Sequence, residues 1–301
     1  MTESDLAAGP GSADDLEEAA AVFMRVRPRL FGIAYRMLSS VTEAEDLVQE
    51  VWLRWQTCDR SAVANPAAYL ATTTTRLAIN ELQSARVRRE TYVGPWLPEP
   101  VDTSADPYLG AERGEALKFA ALVLMEKLTP NERAAYVLRE AFDYAYGEIA
   151  DILKSTEPAV RQLVSRARKH MTRERSLSVD AAAQRTLLTT FLDAARSGEM
   201  TALEQLFSAE VVSVSDGNGR HKIARRAVVG APWVAKFLAA MSWFWENVET
   251  RFTTMNGQVC AVMLAGGEVY GVLAVDTSAE GIDQLFWMLN PAKNTQVSVP
   301  T

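Results

Sequence analysis

A basic stretch stands near the middle of an acidic chain. In the segment YGEIADILKSTEPAVRQLVSRARKHM, residues 146 to 171, polar side chains recur on one side of a predicted helix. They are Arg161, Gln162, Ser165, Arg166 and Lys169. Side chains of these types hydrogen-bond to base edges and phosphates when a helix enters the major groove of DNA. The whole chain has a net charge of −7, so attraction to phosphate has to come from local basic segments such as this helix.

The pattern around this basic helix is that of a helix-turn-helix. A short apolar helix ends at Leu153, a turn follows at Lys154 and Ser155, and Thr156 can cap the second helix. Lys154 stands where glycine is usual in such turns. The buried side of the second helix is predicted to contain Val160, Leu163, Val164, Ala167 and Met171. The alternative is an ordinary helix pair with a solvated basic face, and we favour DNA binding.

A second candidate site lies on the helix predicted from SSVTEAEDLVQEVWLRWQT. Thr42 is expected to be its N-cap, with Glu45 three residues later completing a capping box. One side is an apolar stripe of Ala44, Leu47, Val48, Val51 and Trp55. A second side carries Asp46, Gln49, Glu50 and Leu53 at helical spacing. This second side is either a docking surface or a solvated charged face.

A further helix starts where Asn65 and Pro66 supply a cap followed by proline at the first helical position. It becomes basic toward its end, at Arg86, Arg88 and Arg89, which could also be ordinary surface charge. Tyr69 and Asn80 lie on the same helix. They could stack on and hydrogen-bond to an unstacked base, or simply pack and cap.

Residues 91 to 106, TYVGPWLPEPVDTSAD, combine three prolines with Gly, Ser and Asp. We expect no regular element there and interpret the segment as a linker. Helices resume near Pro107, and the sequence from Thr129 to Glu132 is a second capping box, with proline at the first helical position.

Beyond about residue 180 the pattern changes to strands and segregated helices, which is typical of an α+β domain. Helices are predicted at AAAQRTLLTTFLDAARSG, EMTALEQLF and APWVAKFLAAMSWFWE, and strands at EVVSVSD, ETRFTTMNG, VCAVMLAGG, EVYGVLAVD and IDQLFWMLN. Several aromatic residues either line a cavity or form the core. They are Trp233, Phe237, Trp243, Phe244, Trp245, Phe286 and Trp287.

Composition excludes several classes of protein. Hydrophobic residues make up 48% of 301 residues, and no apolar run is long enough to span a bilayer. The N-terminus has neither the basic nor the apolar region of a signal peptide, so we expect a cytoplasmic protein. Cys58 and Cys260 are too few for a disulfide framework, and with two histidines they form no metal-binding spacing. We expect no metal and no cofactor.

The order and spacing of three segments resemble the extracytoplasmic-function sigma factors, the smallest class of bacterial RNA polymerase specificity subunits. These segments are EAEDLVQEVWLRW, NPAAYLATTTTRLAINELQSARVRRE and the stretch from LTPNERAAY to VSRARKHM. The resemblance implies core RNA polymerase and promoter DNA as partners, with no membrane. It also implies two all-α domains, the second with the helix-turn-helix, followed by an α+β domain.

The resemblance assigns a role to each candidate residue. The polymerase-binding motif falls on Asp46, Gln49, Glu50 and Leu53. The segment that reads the minus-ten element carries Tyr69, Arg76, Asn80, Arg86, Arg88 and Arg89. The helix that reads the minus-thirty-five element carries Glu157, Arg161, Gln162, Ser165, Arg166 and Lys169.

The C-terminal part resembles a subgroup of these factors that carries a fused SnoaL-like cone domain. Its DGGGK-like loop and NPxK tail correspond here to DGNGR and NPAK, and WLPEP in the linker is a further match. The loop departs at Asn218 and Arg220. The resemblance implies a regulatory role for Asp216, Gly217, Gly219, Arg220, Asn290, Pro291 and Lys293.

These expectations divide the chain into five parts. They are an acidic lead (1–19), a polymerase and minus-ten domain (20–90), a linker (91–106), a helix-turn-helix domain (107–175) and a regulatory α+β domain (180–301). DGNGRHKIARR is expected to form an exposed basic turn.

Other functions remain open at this point. One alternative is a one-component DNA-binding regulator without a polymerase role, whose C-terminal domain senses a ligand or acts as an enzyme. The acidic face on the helix at 43 to 55 argues against it. An enzyme would need an acid/base pair in the cavity, and His221 is the single imidazole there. We therefore expect no enzyme, and a small-molecule ligand of the domain stays possible but unknown.

Overall fold

The computed structural model describes residues 13–103, 114–172, 180–220 and 222–298. Helices dominate the first two ranges, and a six-stranded mixed sheet dominates the last two. The helices are α1 (Ala13–Leu38), α2 (Val41–Thr57), α3 (Pro66–Glu90), α4 (Phe119–Met125), α5 (Pro130–Tyr136), α6 (Tyr146–Leu153), α7 (Glu157–Thr172), α8 (Ala181–Ser197), α9 (Met200–Gln205) and α10 (Ala231–Ala239). Within the described residues, none of these helices has the length and apolarity needed to cross a membrane.

The buried stripe predicted for α2 is confirmed, but the predicted cap is wrong. Ser40, not Thr42, is the N-cap, and its hydroxyl accepts a hydrogen bond from the backbone N–H of Glu43. The free N–H groups of Val41 and Thr42 are bound by the carboxylate of Glu99, which comes from the linker. Glu45 pairs with Arg27 on α1 instead of closing a capping box. A tertiary contact therefore replaces the local one that the sequence suggested.

Two other predicted helix starts are confirmed. The side chain of Asn65 accepts a hydrogen bond from Ala68 N–H, with Pro66 as the first residue of α3. Thr129 and Glu132 form the predicted capping box at the start of α5. The polypeptide therefore begins both helices where the local capping chemistry indicates.

Helices α6 and α7 form the predicted helix-turn-helix. Lys154 ends α6 in the left-handed conformation, with φ of 51°, where glycine is usual. Thr156 then accepts a hydrogen bond from Ala159 N–H. The buried side of α7 consists of Val160, Val164, Ala167 and Met171, as predicted, with Leu163 half-buried beside it.

Helices α1–α3, which we call the first helical unit, and α4–α7, the second helical unit, share one core. A single cluster of buried apolar side chains runs from Ala19 on α1 to Met171 on α7. The two units are therefore packed directly against each other in this conformation.

The strands form one sheet in the order β2-β1-β6-β5-β4-β3, in which only β1 and β6 are parallel. They are β1 (Phe207–Asp216), β2 (Val228–Val229), β3 (Val248–Met255), β4 (Gln258–Ala265), β5 (Glu268–Ser278) and β6 (Gly281–Met288). The short β2 was not predicted. The single helix expected at 231 to 246 is α10 followed by a separate 3-10 segment, Ser242–Asn247.

The two faces of this sheet bury different partners because successive side chains point to opposite sides of a strand. One face, carrying Leu285 and Trp287, packs against α8 and α10. The other face, carrying Phe286 and Met288, packs against Leu97 of the linker and Phe119 of α4. The ring centroids of Phe119 and Phe286 are 6.4 Å apart. The sheet domain (residues 180–298) is thus joined to the second helical unit by a buried apolar contact.

Candidate functional site

The six residues predicted on α7 share one exposed face. Glu157, Arg161, Gln162, Ser165, Arg166 and Lys169 all lie opposite the buried stripe. Arg161 forms an ion pair with Glu157, and its guanidinium lies 4.3 Å from the ring centre of Tyr146. Arg168, by contrast, turns to Glu140, at 2.7 Å. The arrangement presents a basic helix face to solvent.

The predicted polymerase-binding residues lie on the outer side of α2. Gln49, Glu50 and Leu53 are exposed, and Leu53 keeps 55% of its surface accessible. Asp46 and Glu50 border a groove between α2 and α3 that also contains Glu81. The outer side of α2 is therefore an exposed acidic groove with a leucine beside it.

The residues predicted to read the minus-ten element are not gathered on one free face. The ring of Tyr69 packs on Trp55, with the ring centres 5.8 Å apart, and Asn80 borders the acidic groove. Arg76 donates hydrogen bonds to the carbonyl oxygens of Asp151 and Ile152, at the end of α6. The side chains of Arg86 and Arg88 lie outside the described residues.

Arg89 also contacts the second helical unit. Its guanidinium pairs with Glu126 and donates to the carbonyl of Leu38 at 2.5 Å. Glu126 is shared with Arg133, which is buried and donates to the carbonyl of Arg36 at 2.9 Å. Burial alone would raise the pKa of Glu126, but Arg133 and Arg89 hold it below its ordinary value. Two arginines predicted to touch DNA, Arg76 and Arg89, thus bridge the two helical units here.

The predicted regulatory residues meet around the linker. Asp216, at the end of β1, is fully buried and accepts hydrogen bonds from Tyr92 Oη at 2.5 Å and Leu97 N–H at 2.8 Å. Lys293 donates to Asp216 at 2.7 Å and to the carbonyl of Leu97 at 2.5 Å. Asn290 donates to Tyr92 Oη at 2.8 Å. We call these five residues the linker clamp.

Trp96 of the linker is held by two cations. The ammonium of Lys293 lies 3.9 Å from its ring centre and the guanidinium of Arg89 lies 3.6 Å from it. Burial lowers the pKa of Lys293 to about 8, although Asp216 acts in the opposite direction. Burial, together with the hydrogen bond to Asp216, raises the pKa of Tyr92 well above its ordinary value. The clamp is therefore a desolvated ion pair closed over the linker.

Only the start of the DGNGRHKIARR segment departs from the exposed basic turn that the sequence suggested, since Lys222, Arg225 and Arg226 are exposed. Its first residue, Asp216, is buried because strand β1 delivers it to the linker. A side chain at Gly217 would meet Ile223 at 2.7 Å, so only glycine fits there. Asn218 and Gly219 are left-handed, with φ of 44° and 78°, and asparagine tolerates this conformation better than most residues. His221 lies outside the described residues.

Arg220 ties the loop to the strand that carries the tail. It donates to the carbonyl of Leu289 at 2.7 Å, and its guanidinium lies 4.6 Å from the ring centre of Tyr270. Pro291 begins the short 3-10 turn that presents Lys293. The loop and the tail predicted to be regulatory are therefore in direct contact.

Asn256 joins all three parts of the protein. Its side-chain amide donates to Tyr35 Oη on α1 at 2.6 Å and to the carbonyl of Leu117 at 3.1 Å. Its side-chain oxygen accepts from the N–H of Val101 in the linker at 3.0 Å. Tyr35 in turn donates to the carbonyl of Glu99 at 2.6 Å. Both side chains are fully buried, so these polar atoms depend on one another.

Sequence reasoning missed Asn256, Tyr35 and Glu99. The pair Asn256-Gly257 is the recognised signal for a tight hairpin turn, and both residues have positive φ, of 53° and 67°. That signal predicts the turn but not the buried contacts of the side chain. WLPEP resembles the corresponding linker segment of the related sigma factors, but the cap that Glu99 places on α2 depends on how the linker folds back.

Comparison with known proteins gives the family. Residues 22–88 match Sigma-70 region 2, and residues 118–171 match Sigma-70, region 4. The chain is 39% identical over 224 residues to the ECF RNA polymerase sigma factor SigJ of Mycobacterium tuberculosis, covering 73% of this chain and 72% of SigJ. It is 27% identical over 284 residues to the probable ECF RNA polymerase sigma factor SigI of that organism, covering 92% of this chain and 94% of SigI.

The fold agrees with a solved relative along almost the whole chain. The crystal structure of SigJ superimposes with a TM-score of 0.74 at 32% identity, covering 92% of this chain and 98% of SigJ. The predicted fold class, helical units followed by an α+β domain, is confirmed. The predicted domain boundaries and the roles of individual residues stay predictions.

Proposed function

Since this chain belongs to the extracytoplasmic-function family of RNA polymerase sigma factors, we propose that its sheet domain restrains, in cis, the two regions that read the promoter. As a sigma factor it binds core RNA polymerase and directs promoter recognition and the start of transcription. The family is not enzymatic. We extend this to the sheet domain, in which we propose a regulatory and not a catalytic role.

We further propose which surfaces serve each step. The acidic face of α2, with Asp46, Gln49, Glu50 and Leu53, docks on the polymerase, since it is exposed and lies opposite the buried stripe of α2. The exposed face of α7 reads the upstream promoter element, because its arginines and Gln162 can hydrogen-bond to base edges. The basic end of α3 serves the downstream element once its arginines are released.

The buried Asp216 is the observation that carries the restraining role. A carboxylate without solvent needs partners, and Tyr92, Leu97 and Lys293 supply them, two of them from the linker. The sheet domain thereby fixes the segment that sets the distance between region 2 and region 4. The same linker carries Glu99 to the start of α2, so the clamp also acts on the helix that docks on polymerase.

In the restrained arrangement, which we call closed, regions 2 and 4 are packed against each other. Regions 2 and 4 share a core, and Arg76 is bound to the end of the first helix of the helix-turn-helix. Two promoter elements lie apart along DNA, so the regions must separate before both elements are read together. A clamp that holds the linker favours the closed population and lowers the fraction able to initiate.

Transcription by core polymerase with Lys293→Met tests this proposal. The change removes the cation from a buried pair and leaves Asp216 unpaired, which typically costs about 3–5 kcal/mol. We expect the clamp to open and promoter-dependent initiation to rise. The matched control is Lys236→Met, an exposed lysine on α10, which should initiate like the unaltered protein.

Point variants are preferable to deletion of the domain. Removing residues 180–301 would expose Leu97 and Phe119, which pack against the sheet, and would invite aggregation. Near-ultraviolet circular dichroism of Lys293→Met will verify that the sheet domain stays folded. If initiation by a folded Lys293→Met protein equals that of Lys236→Met at every polymerase concentration, the restraining role is wrong.

A further inference from the structure

A cavity lies on the face of the sheet that is turned away from the linker. It is enclosed by the sheet, α10 and the 3-10 segment Ser242–Asn247. Its walls are mainly aromatic, and the rings come from Phe237, Trp243, Phe244, Trp245, Tyr270 and Trp287. Its volume is about 40 Å³, and a single water needs roughly 10–15 Å³. Trp243 forms part of the outer wall and is 48% exposed. A cavity that holds benzene is about 150 Å³, so a ring-sized molecule fits here only if Trp243 moves outward.

The side chain of Ser215 places a hydroxyl in the wall of this cavity. Ser215 lines the wall and is only 6% exposed, and within the described part of the chain its Oγ makes no hydrogen bond. Ser213, two residues earlier on the same side of β1, accepts a bond from Trp287 Nε1 at 3.1 Å. Ser215 Oγ is not among the enclosed polar atoms that lack a partner, so it is open to whatever fills the cavity. Ser215 is therefore available to a molecule in the cavity.

A cation stands at the mouth of the cavity. The ammonium of Lys222 lies 4.9 Å from the ring centre of Trp243, and Lys222 itself is exposed. No ion pair to it occurs among the residues that the structure describes. Its backbone is left-handed, with φ of 66°, a conformation that is unfavourable for lysine. The cavity thus offers aromatic walls, an inner hydroxyl and an outer positive charge.

We propose that this cavity binds a monocyclic aromatic carboxylate that carries a polar ring substituent. The ring would lie among Trp243, Tyr270 and Trp287, where aromatic pairs stack or meet edge to face. The carboxylate would pair with Lys222 at the mouth, and the ring substituent would hydrogen-bond to Ser215. Each of the three features of the cavity then meets one part of the ligand.

The same strand ends carry the cavity wall and the linker clamp. Ser215 faces the cavity and Asp216 the linker, and Leu289 lines the cavity next to Asn290 of the clamp. Leu289 N–H donates to the carbonyl of Asp216 at 2.8 Å. A ligand that displaces the wall therefore changes the stability of the clamp. This coupling rests on the proposed restraining role, whereas the binding itself does not.

Titration of the full chain with 4-hydroxybenzoate, followed by tryptophan fluorescence, tests the site. We expect saturable quenching, because three tryptophans line the cavity. Ser215→Ala should weaken binding by roughly 2- to 10-fold, and Lys222→Met by about 10-fold or more, since bonds to charged groups are stronger. Lys236→Met, which lies outside the cavity, should bind like the unaltered protein.

Comparison ligands separate the three features. Ser215→Ala should not change the affinity for benzoate, which lacks the ring substituent. Lys222→Met should not change the affinity for 4-hydroxybenzyl alcohol, which lacks the carboxylate. Cyclohexanecarboxylate, which lacks the aromatic ring, should bind weakly. Absence of saturable binding, or equal affinity in all three variants, overturns the site.

The coupling has its own readout. Binding free energies are reciprocal, so a ligand that acts on the clamp must bind Lys293→Met with a different affinity. If the unaltered protein and Lys293→Met bind the ligand with equal affinity, the coupling is wrong, but the binding site itself is not refuted. Transcription by Lys293→Met without ligand tests the restraining role separately.

Discussion

Replacing Asn256 with glycine should loosen the linker without disturbing the hairpin. Asn256 has φ of 53°, which glycine adopts freely, and Gly-Gly is an acceptable sequence for the same turn. The backbone bond from Asn256 N–H to the carbonyl of Val101 also remains. The change therefore removes three buried side-chain hydrogen bonds and little else.

The loss of these three hydrogen bonds sets how much the free energy of linker opening should change. Tyr35 Oη and the carbonyl of Leu117 each lose one donor, at about 0.5–1.5 kcal/mol each. The N–H of Val101 loses its acceptor in a buried setting, at about 1–3 kcal/mol. Together the opening free energy of the linker should fall by about 2–6 kcal/mol, which is roughly 30- to 20,000-fold in the opening equilibrium.

Hydrogen exchange of the peptide covering residues 93–103 measures this opening directly. Exchange of the amides of Val101 and Thr103 reports the free energy of local opening when the opened state recloses quickly. We expect protection to fall by the factor given above. Asn218→Gly is the matched control, because Asn218 is also left-handed but exposed and makes no side-chain hydrogen bond within the described residues. Unchanged protection in Asn256→Gly would refute the view that this amide joins the three parts.

Three further predictions test other surfaces. The double variant Asp46→Lys, Glu50→Lys should keep normal helicity, since both residues lie opposite the buried stripe of α2, but should no longer co-purify with core polymerase. Charge reversal of the exposed Glu17 and Glu18 is the control and should leave co-purification intact. Co-purification of the first variant would place the interface elsewhere. Arg161→Ala or Arg166→Ala should weaken initiation at promoters with a matching upstream element by about 1–3 kcal/mol per lost base contact. Arg168 pairs with Glu140, so Arg168→Ala should have a smaller effect. Equal effects of all three substitutions would argue against a DNA-reading face. Opening the clamp should take up a proton between the closed pKa of about 8 and the ordinary lysine value of about 10.4, so fluorescence energy transfer between regions 2 and 4 should rise as the pH increases from about 8 to about 10. Lys293→Met should lose this change.

Local chemistry accounts for the parts of the fold that were predicted. The apolar stripes of α2 and α7, the caps at Asn65 and Thr129, and the turn at Lys154 depend on neighbours a few residues away in sequence. Such periodic and capping patterns are visible in a single sequence. Most strands of the sheet domain were predicted for the same reason.

The rest depends on contacts between distant segments. Ser40 displaced Thr42 as a cap because Glu99, far along the chain, binds the next two N–H groups. Arg76 and Arg89 look like DNA-binding residues by type, but the packing of the two helical units assigns them to carbonyls and to Glu126. The burial of Asp216 likewise depends on where the linker lies. No periodicity contains this information.

The most direct test of the restraint is the distance between regions 2 and 4. Energy transfer between dyes placed through unnatural amino acids at residues 18 and 170, both exposed, reports whether the regions are packed together. The free protein should show high transfer, Lys293→Met should show less, and the complex with polymerase and promoter should show the least. Equally low transfer in the free unaltered protein and in Lys293→Met would contradict a clamp that holds the sigma factor closed.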